Sequence, residues 1–336
     1  MRRRPVGPVD GSRQSLAQSR QSTAVVLASR ARRGLNGAMS RLPELASLVR
    51  AHMGEESPEG VGPMTGAGVH LIASTTVTEA QQVVYEAMVC LILEGAKTTT
   101  LGTESYPYRA GQYLVVTDDL PVSGRVIAAP YLAIGVPLDP ATITELLLES
   151  EGAIPEAAPV RGLAVSDMDE DLIDVVIRLV RLLERPEEAR VMAPMIHREL
   201  VWRLLRGERA GMMRQLAAMD GRQAQVKRAI RWLRRNYAEP MRIDRLAEVA
   251  GMSETSLHRH FKAVTAMSPL QYQKQIRLQE ARHRLLAQGR DVAGVGFAVG
   301  YDSPSQFSRE YARLFGHPPG RDLERMRADP ALAVAV

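Results

Sequence analysis

This chain of 336 residues lacks several features that assign a protein to a class at once. It contains one cysteine, Cys90, so no internal disulfide forms, which fits a reducing cytoplasm. No apolar run approaches the roughly 18 residues of a membrane-spanning helix. No apolar segment with a small-residue cleavage site follows the basic N-terminus, so a secretory signal is not expected. The sequence therefore predicts a cytoplasmic protein without membrane contact.

Metal ligands are equally scarce. No group of cysteines and histidines has the spacing of a zinc site. The central, β-like part of the chain offers only His70, whereas a metal-dependent barrel enzyme needs several histidines and a carboxylate around one ion. We therefore expect no metal, no cofactor and no enzymatic site.

Charge is distributed unevenly along the chain, although the net charge is only +5. Residues 1–38 carry a net charge of +7, residues 39–221 carry −11, and residues 222–327 carry +10. A strongly basic segment is typical of a surface that binds phosphates. The acidic middle is unsuited to nucleic acid, so the two parts are expected to have different roles.

A short pattern occurs twice in the basic segment, about fifty residues apart. The first copy runs from Leu246 to Ser253, and the second from Val295 to Ser303. Each indicates a short helix, a glycine turn and a second helix that a serine opens, which is the helix-turn-helix arrangement. Two copies joined by one amphipathic segment are far harder to explain by chance than a single copy.

The second helix of each copy is predicted to bury its apolar residues and to expose a polar face. The predicted inward positions are Leu257, Phe261, Val264, Phe307, Tyr311 and Leu314. The remaining positions are expected to contact DNA, because a recognition helix of this kind fits the major groove. They are Thr255, Ser256, His258, Arg259, Lys262, Ser305, Gln306, Ser308, Arg309 and Arg313.

Two arginines occupy matching places in the two copies. Arg259 and Arg309 each follow a predicted core residue by two positions, and an arginine there can make a bidentate contact with guanine. The helix predicted from Pro269 to Gln288 is roughly 30 Å long. It therefore separates the second helices of the two copies, called the readers below, by about one turn of B-DNA. The alternative interpretation is a helical bundle with solvated arginines, which the doubled pattern and the charge disfavour.

This segment resembles the DNA-binding domain of the AraC/XylS family of transcription regulators over about a hundred residues. The resemblance implies promoter DNA and RNA polymerase as partners. The matching residues are Ala247, Gly251, Ser253, Leu257, Phe261, Ser268, Pro269, Tyr272, Arg277, Ala281, Leu285, Leu286, Gly300, Tyr301, Phe307, Ser308, Gly316, Pro318 and Pro319.

Two residues depart from the family pattern. Gly296 stands where the family usually has alanine, and this is expected to loosen its helix by about 0.5–1 kcal/mol. Asp322 replaces an aromatic residue that often follows the closing prolines. Neither residue belongs to the predicted reading face.

Short strands are predicted between about Gly68 and Val136, because β-like runs alternate there with turn signals such as Glu94-Gly95. Many short strands at close spacing favour a small sandwich or barrel. The predicted strands are Val69–Ser74, Met88–Glu94, Thr98–Leu101, Gln112–Thr117, Val122–Val126 and Tyr131–Val136.

Helices are predicted on both sides of the strands. Met39 begins a helix-like run, and Asp139 is a predicted N-cap with Pro140 at the first helical position. After a loop over 152–162, Asp169–Arg185 and Pro186–Arg206 show apolar stripes and are expected to pack as an antiparallel hairpin. The predicted stripe of the second helix consists of Val191, Met195, Ile196, Leu200, Trp202, Leu204 and Leu205.

The N-terminal half also resembles a family pattern, in the runs 84–86, 90–97, 111–115, 120–122 and 193–205. These resemble the cupin-like N-terminal domain in one branch of the same regulators. The resemblance implies a β-barrel that senses a small molecule or dimerises, followed by a helical connector. Candidate effector-binding residues are Glu86, Cys90, Lys97 and Tyr113, although turn and strand positions explain them equally well and a buried structural thiol is the default for the cysteine.

We therefore predict an α+β protein with an N-terminal cupin-like β-barrel, a helical connector and an all-α C-terminal domain with two helix-turn-helix units. The predicted divisions are a disordered basic extension (1–38), the barrel with a flanking helix (39–165), the connector (166–221), the DNA-binding domain (222–327) and a tail (328–336). The expected function is transcription regulation, chiefly activation, by a protein that binds double-stranded promoter DNA, an unidentified small-molecule effector and a second copy of itself. The alternatives are a DNA-modifying or repair enzyme with an accessory DNA-binding module, which one cysteine disfavours, and a purely architectural protein.

Overall fold

A computed structural model of the protein describes residues 40–53, 60–150, 161–217, 221–289 and 291–328. The predicted basic extension (1–38), most of the predicted loop over 152–162, residues 218–220 near the end of the predicted connector and all but the first residue of the predicted tail lie outside these ranges.

One antiparallel sheet of eight strands forms the N-terminal domain in the part of the chain that the structure describes. The strand order is β1-β2-β7-β4-β6-β8, while β3 pairs with β7 and β5 pairs with β4. The strands are β1 (Gly60–Val61), β2 (His70–Ser74), β3 (Gln81–Tyr85), β4 (Met88–Leu101), β5 (Glu104–Arg109), β6 (Gln112–Val116), β7 (Leu120–Pro137) and β8 (Leu163–Asp167).

Strands β4 and β7 are long and each replaces two predicted strands. The register between them shifts at Ile92/Glu94, Glu94/Ala96 and Ala96/Lys97, so the predicted turn at Glu94-Gly95 is a run of β-bulges inside one strand. Gly95 has a φ of +71°, which suits a bulge as well as it suits a turn. The prediction of a chain reversal there was therefore wrong, because glycine marks both features.

Four strands, β1, β3, β5 and β8, were absent from the prediction. Strand β5 contains Pro107, and a proline argues against a strand unless the strand lies at an edge. In the structure β5 pairs with β4 alone, and Pro107 lies opposite Thr98. Strand β8 pairs with β6, where Asp167 lies opposite Gln112, so it joins the sheet through a contact between distant parts of the chain.

Helices cover one face of the sheet. They are α1 (residues 40–53), α2 (Pro140–Glu149), α3 (Glu170–Arg181), α4 (Pro186–Arg206) and α5 (Ala210–Ala217), with a 3₁₀ turn at Leu182–Glu184. The predicted cap of α2 is present: the carboxylate of Asp139 accepts hydrogen bonds from the backbone N–H groups of Ala141 and Thr142 at 3.0 and 3.1 Å. The predicted α3–α4 hairpin is also present, with Asp169 capping α3.

The exposed face of α4 differs from the prediction. Val191 and Met195 are 66% and 61% exposed, although both were assigned to the inward stripe. The buried stripe instead starts with the small residues Ala189 and Ala193 and continues through Ile196. Alanine carries little hydrophobic signal in a sequence, so the larger side chains nearby were assigned to the core in its place.

Both faces of the sheet are buried, in two separate cores. Along β4, Val89 and Leu91 point toward helices α1 and α3 to α5, whereas Cys90 and Ile92 point into the other core. This second core includes residues of the basic C-terminal helices. This sheet, which corresponds to the predicted cupin-like barrel and is called the barrel below, packs on helices at both faces.

The C-terminal domain is all-α. Its helices are α6 (Gly221–Arg235), α7 (Ile243–Ala250), α8 (Glu254–Thr265), α9 (Pro269–Gln288), α10 (Val292–Ala298), α11 (Pro304–Phe315) and α12 (Pro319–Ala328). Helices α7 and α8 form the first helix-turn-helix unit, α10 and α11 form the second, and α9 connects them. In the ranges that the structure describes, no helix has the length and apolarity to cross a bilayer.

Local capping explains why these helices begin where they do. Ser253 accepts a hydrogen bond from the N–H of Ser256 at 3.3 Å, and Ser303 accepts one from the N–H of Gln306 at 3.4 Å. Ser268 forms a capping box at the start of α9. The sequence around α7 predicts Asp244 as its N-cap, because aspartate is a favoured capping residue. That prediction is wrong: Arg242 is the N-cap residue, and Asp244 lies in the first turn, 2.6 Å from the Arg242 guanidinium.

Candidate functional site

The reading face of each unit is exposed as the sequence predicts. In α8, Leu257 and Phe261 are fully buried, and in α11 so are Phe307 and Tyr311, while Leu314 is only partly buried. Ser256 and Ser308 are partly buried near the helix starts. The exposed members of the predicted DNA-contacting set are Thr255, His258, Arg259, Lys262, Ser305, Gln306, Arg309 and Arg313.

The cations of the predicted reading faces have no acidic partner in the part of the chain that the structure describes. Among the described residues, no carboxylate lies within ion-pair distance of Arg259, Lys262, Arg309 or Arg313. The guanidinium of Arg259 lies 3.2 Å from Nε2 of His260, and desolvation together with this neighbouring cation lowers the pKa of that histidine.

Arg277 on α9 fixes the second unit relative to the first. Its guanidinium donates to the carbonyl oxygens of Tyr237 at 2.6 Å and of Gly300 at 2.7 Å, so it links the end of the first helix of the domain to the turn of the second unit. Gly300 approaches the backbone at Ala238 so closely that a Cβ would not fit. These polar contacts hold the turn of the second unit against the segment that follows α6, and periodicity alone does not reveal them.

Asp322 completes the second unit from α12. Its carboxylate is 2% exposed and accepts hydrogen bonds from Nε of Arg282 at 3.0 Å and from the hydroxyl of Tyr311 at 2.8 Å. The acidic residue that departs from the family pattern thus holds α12 against α9 and α11. It does not reach the reading face.

The barrel packs directly against α6, α9 and the first unit. Arg234 at the end of α6 forms ion pairs with Asp119 at 2.6 Å and Glu86 at 3.4 Å, and the hydroxyl of Tyr272 on α9 donates to the carbonyl of Asp119 at 2.7 Å. One hydrophobic core contains Ile92 of the barrel together with core residues of the first unit. The second unit has a core of its own.

A cavity of about 410 Å³ lies between the barrel and helices α6, α9 and α12. Of the four residues predicted to bind an effector, Glu86, Cys90 and Lys97 line this cavity. Tyr113 does not: it lies in the opposite core, where burial raises the pKa of its hydroxyl to about 12. The sequence did not indicate the rest of the lining, which comes from both domains. The residues from the helical domain include Arg234, Ile276, Gln279, Arg282, Leu286 and Met326.

Lys97 is the distinctive polar group on the barrel side of the cavity. Its Nζ lies 5.7 Å from the ring centroid of Tyr85 and 5.9 Å from that of Tyr131. Burial lowers the pKa of the ammonium, but the interaction with the Tyr85 hydroxyl raises it and leaves the pKa above its ordinary value. The side chain is therefore charged at neutral pH and is held over two aromatic faces.

Cys90 is 8% exposed, and burial raises the pKa of its thiol. A raised pKa keeps the thiol protonated at neutral pH, and the protonated form is a poor nucleophile. The geometry therefore agrees with the expectation of a packing role for this side chain.

Two family models match the chain. One describes the N-terminus of an AraC-type transcriptional regulator and matches residues 66–212, and the other describes a helix-turn-helix domain and matches residues 246–325. The transcriptional activator RhaS of Salmonella schwarzengrund is 26% identical over 163 residues, which cover 48% of this chain and 57% of that protein. The chain thus spans little more than half the length of this curated relative.

Solved structures share the fold at low identity. ToxT from Vibrio cholerae matches 76% of this chain and 96% of its own, with a TM-score of 0.52 and 10% identity. Wild-type ToxT with a bound unsaturated fatty acid matches 76% of this chain and 93% of its own, with a TM-score of 0.50 and 8% identity. At this identity the likeness shows a common two-domain architecture.

Proposed function

This chain belongs to the AraC/XylS family of transcription regulators, and we propose that it binds double-stranded promoter DNA sequence-specifically, acting chiefly as an activator. The observation that carries the proposal is the pair of reader helices, α8 and α11. Each is capped by serine, packed on a buried aromatic or aliphatic core, and equipped with exposed arginine that no carboxylate of the described residues neutralises.

The two readers are proposed to occupy successive major grooves. Helix α9 has 20 residues and is therefore about 30 Å long, close to one turn of B-DNA. Arg259 and Arg309 lie at matching positions and are proposed to contact guanine, while Lys262 and Arg313 lie near the C-terminal ends of the same helices and are proposed to contact phosphates. We also propose that the protein acts in the cytoplasm, as a regulator of promoter DNA.

A small molecule is proposed to modulate the regulator through the cavity. Its volume of about 410 Å³ falls in the range of small-molecule sites. Both domains line it, so a bound ligand touches α9, the helix that separates the readers, and occupancy is then coupled to DNA affinity. The fatty acid bound to ToxT, which has the same architecture, supports a small organic ligand.

We further propose that the protein forms a homodimer through the exposed side of α4. Val191 and Met195 on α4 are 66% and 61% exposed, and Leu148 on α2 is 73% exposed. The two helices adjoin, because Arg198 of α4 forms ion pairs with Glu145 and Glu149 of α2. Exposed apolar patches of this kind are typical of protein–protein contacts.

Footprinting on the promoter regions next to its own gene tests the proposed function. We expect two protected segments about one helical turn apart on one face of the duplex, and an affinity that falls steeply as salt rises. Transcription in vitro with RNA polymerase should increase from the same promoter. Binding that is insensitive to salt, or a failure to bind any of these promoters, contradicts the proposal.

A further inference from the structure

The arginine of the first reader is held by the next residue of its own helix. Nη2 of Arg259 lies 3.2 Å from Nε2 of His260. A guanidinium carries hydrogen-bond donors only, so Nε2 is the acceptor and the ring is neutral, with its proton on Nδ1. The hydrogen bond therefore exists only while His260 is uncharged.

Adjacency in the sequence does not enforce this contact. Neighbouring residues of a helix do not face each other, so the arginine side chain has to lean toward the ring. The ring of His260 is partly buried, whereas Arg259 is exposed. The hydrogen bond thus ties the end of a flexible side chain to a more restrained group. A side chain that is already oriented loses less conformational entropy when it binds DNA.

The charges around His260 are all positive among the described residues. Arg259 acts on it from α8, and Arg222 acts on it from the start of α6, which packs against α8. Helices α7 and α9 also pack against α8, but no charged group of theirs in the described structure acts on the ring. No carboxylate is therefore present to stabilise a protonated His260.

The protonation state of His260 follows from these surroundings. Partial burial, Arg259 and Arg222 each lower the pKa of the ring, which falls below the ordinary 6.5. The ring is consequently neutral at pH 7 and accepts the hydrogen bond. As the pH falls through the lowered pKa, the ring gains a proton, both of its nitrogens become donors, and it repels the guanidinium.

The second reader has no equivalent contact. Glu310 follows Arg309 as His260 follows Arg259. Its carboxylate instead accepts a hydrogen bond from Lys274 on α9 at 2.7 Å, and its lowered pKa keeps it ionised above pH 4.5. Arg309 has no hydrogen-bond partner in the described part of the chain. The two readers therefore differ in the one group that titrates beside the arginine.

We propose that His260 is a positioning residue for base recognition, which holds Arg259 toward the major groove while it is neutral and releases it when it is protonated. This inference rests on the proposed function, because it requires that α8 reads DNA. It adds a difference between the two readers. Selectivity for the segment that Arg259 contacts falls in acid, and selectivity for the segment that Arg309 contacts does not.

Selectivity is the quantity to measure, because a protonated histidine adds a charge that favours every DNA sequence. The probes are the promoter fragment that the full-length protein protects and two variants of it, each with one guanine replaced in one protected segment. Fluorescence anisotropy gives the ratio of the dissociation constants for the altered and unaltered fragments. From about pH 7.5 to about pH 5, the ratio for the Arg259 segment should fall about threefold or more, as expected for the loss of one hydrogen bond. The ratio for the Arg309 segment should stay constant.

Substitutions of His260 test whether this ring is the group that titrates. His260→Gln keeps a neutral acceptor and does not titrate, so its ratio should stay high at neutral pH and in acid. His260→Leu removes the acceptor and should lower the ratio at every pH; should it fail to fold, the Gln variant decides alone. His317→Gln is the matched control, because it changes another partly buried histidine of the same domain, and it should retain the fall in acid.

Two outcomes of these measurements overturn the proposal. One is a His260→Gln protein whose ratio still falls in acid, because another group is then responsible. The other is a ratio for the Arg259 segment that stays constant or rises in acid in the unaltered protein. A rise that depends on His260 would mean that the ring contacts a phosphate.

Nuclear magnetic resonance of the full chain without DNA tests the contact itself. Of the seven histidines, the one whose ring signals vanish in His260→Gln is assigned to this position. Nitrogen-15 shifts should place the ring proton on Nδ1, and Arg259→Met should raise the pKa of the ring because a neighbouring cation is removed. A ring proton on Nε2 at neutral pH overturns the proposal, whether or not a promoter is bound.

The failure of this inference is distinguishable from the failure of the proposed function. A protein that gives the expected footprint with selectivity independent of pH retains the proposed function and loses this inference. If the ring has the expected tautomer but no promoter is protected, the proposed function fails, and the role of His260 in reading DNA fails with it.

Discussion

A methyl group on Gly296 would lie 2.9 Å from Cδ1 and 3.1 Å from Cγ of the Phe307 ring. The equivalent positions of the first unit hold Ala247 and Leu257. The second unit therefore combines a smaller residue on its first helix with a larger residue on its second. Glycine here makes room for the Phe307 ring. The packing of the ring therefore offsets the loss of helix stability that the low helix propensity of glycine causes.

The substitution Gly296→Ala should therefore destabilise the protein by about 1–2 kcal/mol, because overpacking a buried contact outweighs the gain in helix propensity. The free energy of unfolding in urea measures it. In a Phe307→Leu background the same change should become neutral or stabilising, since the ring that it meets is gone. Additive effects of the two substitutions would show that they do not share a contact.

The buried carboxylate of Asp322 gives a second stability prediction. Asp322→Asn keeps the size of the side chain but removes the charge opposite Arg282, whose side chain is 13% exposed. Breaking a buried pair in this way should cost about 3 kcal/mol in the free energy of unfolding. Glu79→Gln removes an exposed ion pair with Arg325 and should cost less than about 1 kcal/mol. Equal effects would mean that the Asp322 pair is as weakly coupled as a surface pair.

Glu310 on α11 should make part of the stability depend on pH. Burial raises the pKa of its carboxyl, but hydrogen bonds from Lys274 at 2.7 Å, Gln306 at 3.1 Å and Tyr301 at 2.9 Å outweigh it and lower the pKa below the ordinary 4.5. Because the pKa is lower in the folded state, the ionised carboxylate stabilises the fold above pH 4.5. The protein loses this stabilisation as the pH falls through the folded-state pKa.

Glu310→Gln should consequently lower the free energy of unfolding at neutral pH, by about 1 kcal/mol or more, and the deficit should shrink toward acid pH. Denaturation in urea at a series of pH values measures this. Glu324→Gln, an exposed residue of α12 for which the structure gives no ion pair, serves as the control and should give a flat, small difference. A deficit that stays constant with pH would contradict ionisation as its cause.

The sequence predicted the parts of this protein that depend on local chemistry. Helix α9 and helix α4 begin and end where the prolines and caps indicate, and Ser253 and Ser303 cap the two readers. The sequence did not predict that β4 is one continuous strand, because glycine occurs both in β-bulges and in turns. The sequence also did not predict that Gln279 lines the cavity, because its position there depends on how α9 packs against the barrel.

The matching arginines should read different segments of DNA. Arg259→Ala and Arg309→Ala should each weaken promoter binding by about 1–3 kcal/mol, and each should lose protection at a different segment of the footprint. Arg245→Ala, on α7 and paired with Glu248, is the control and should change affinity little. If both reader variants lose the same segment, the two units do not occupy successive grooves.

The exposed face of α4 predicts a concentration-dependent dimer. Val191→Glu and Met195→Glu should each shift the protein toward monomer in sedimentation equilibrium, because a charge would be buried without a partner in the interface. Leu270→Glu places the same charge at an exposed leucine of the DNA-binding domain, 50% exposed, and should leave the dimer intact. Substitutions at such exposed positions change the free energy of unfolding by only about 0.5 kcal/mol, so a shift to monomer would report the interface and not the fold. If the unaltered protein is monomeric at every concentration, or if Leu270→Glu has the same effect, then this face of α4 is not the dimer contact.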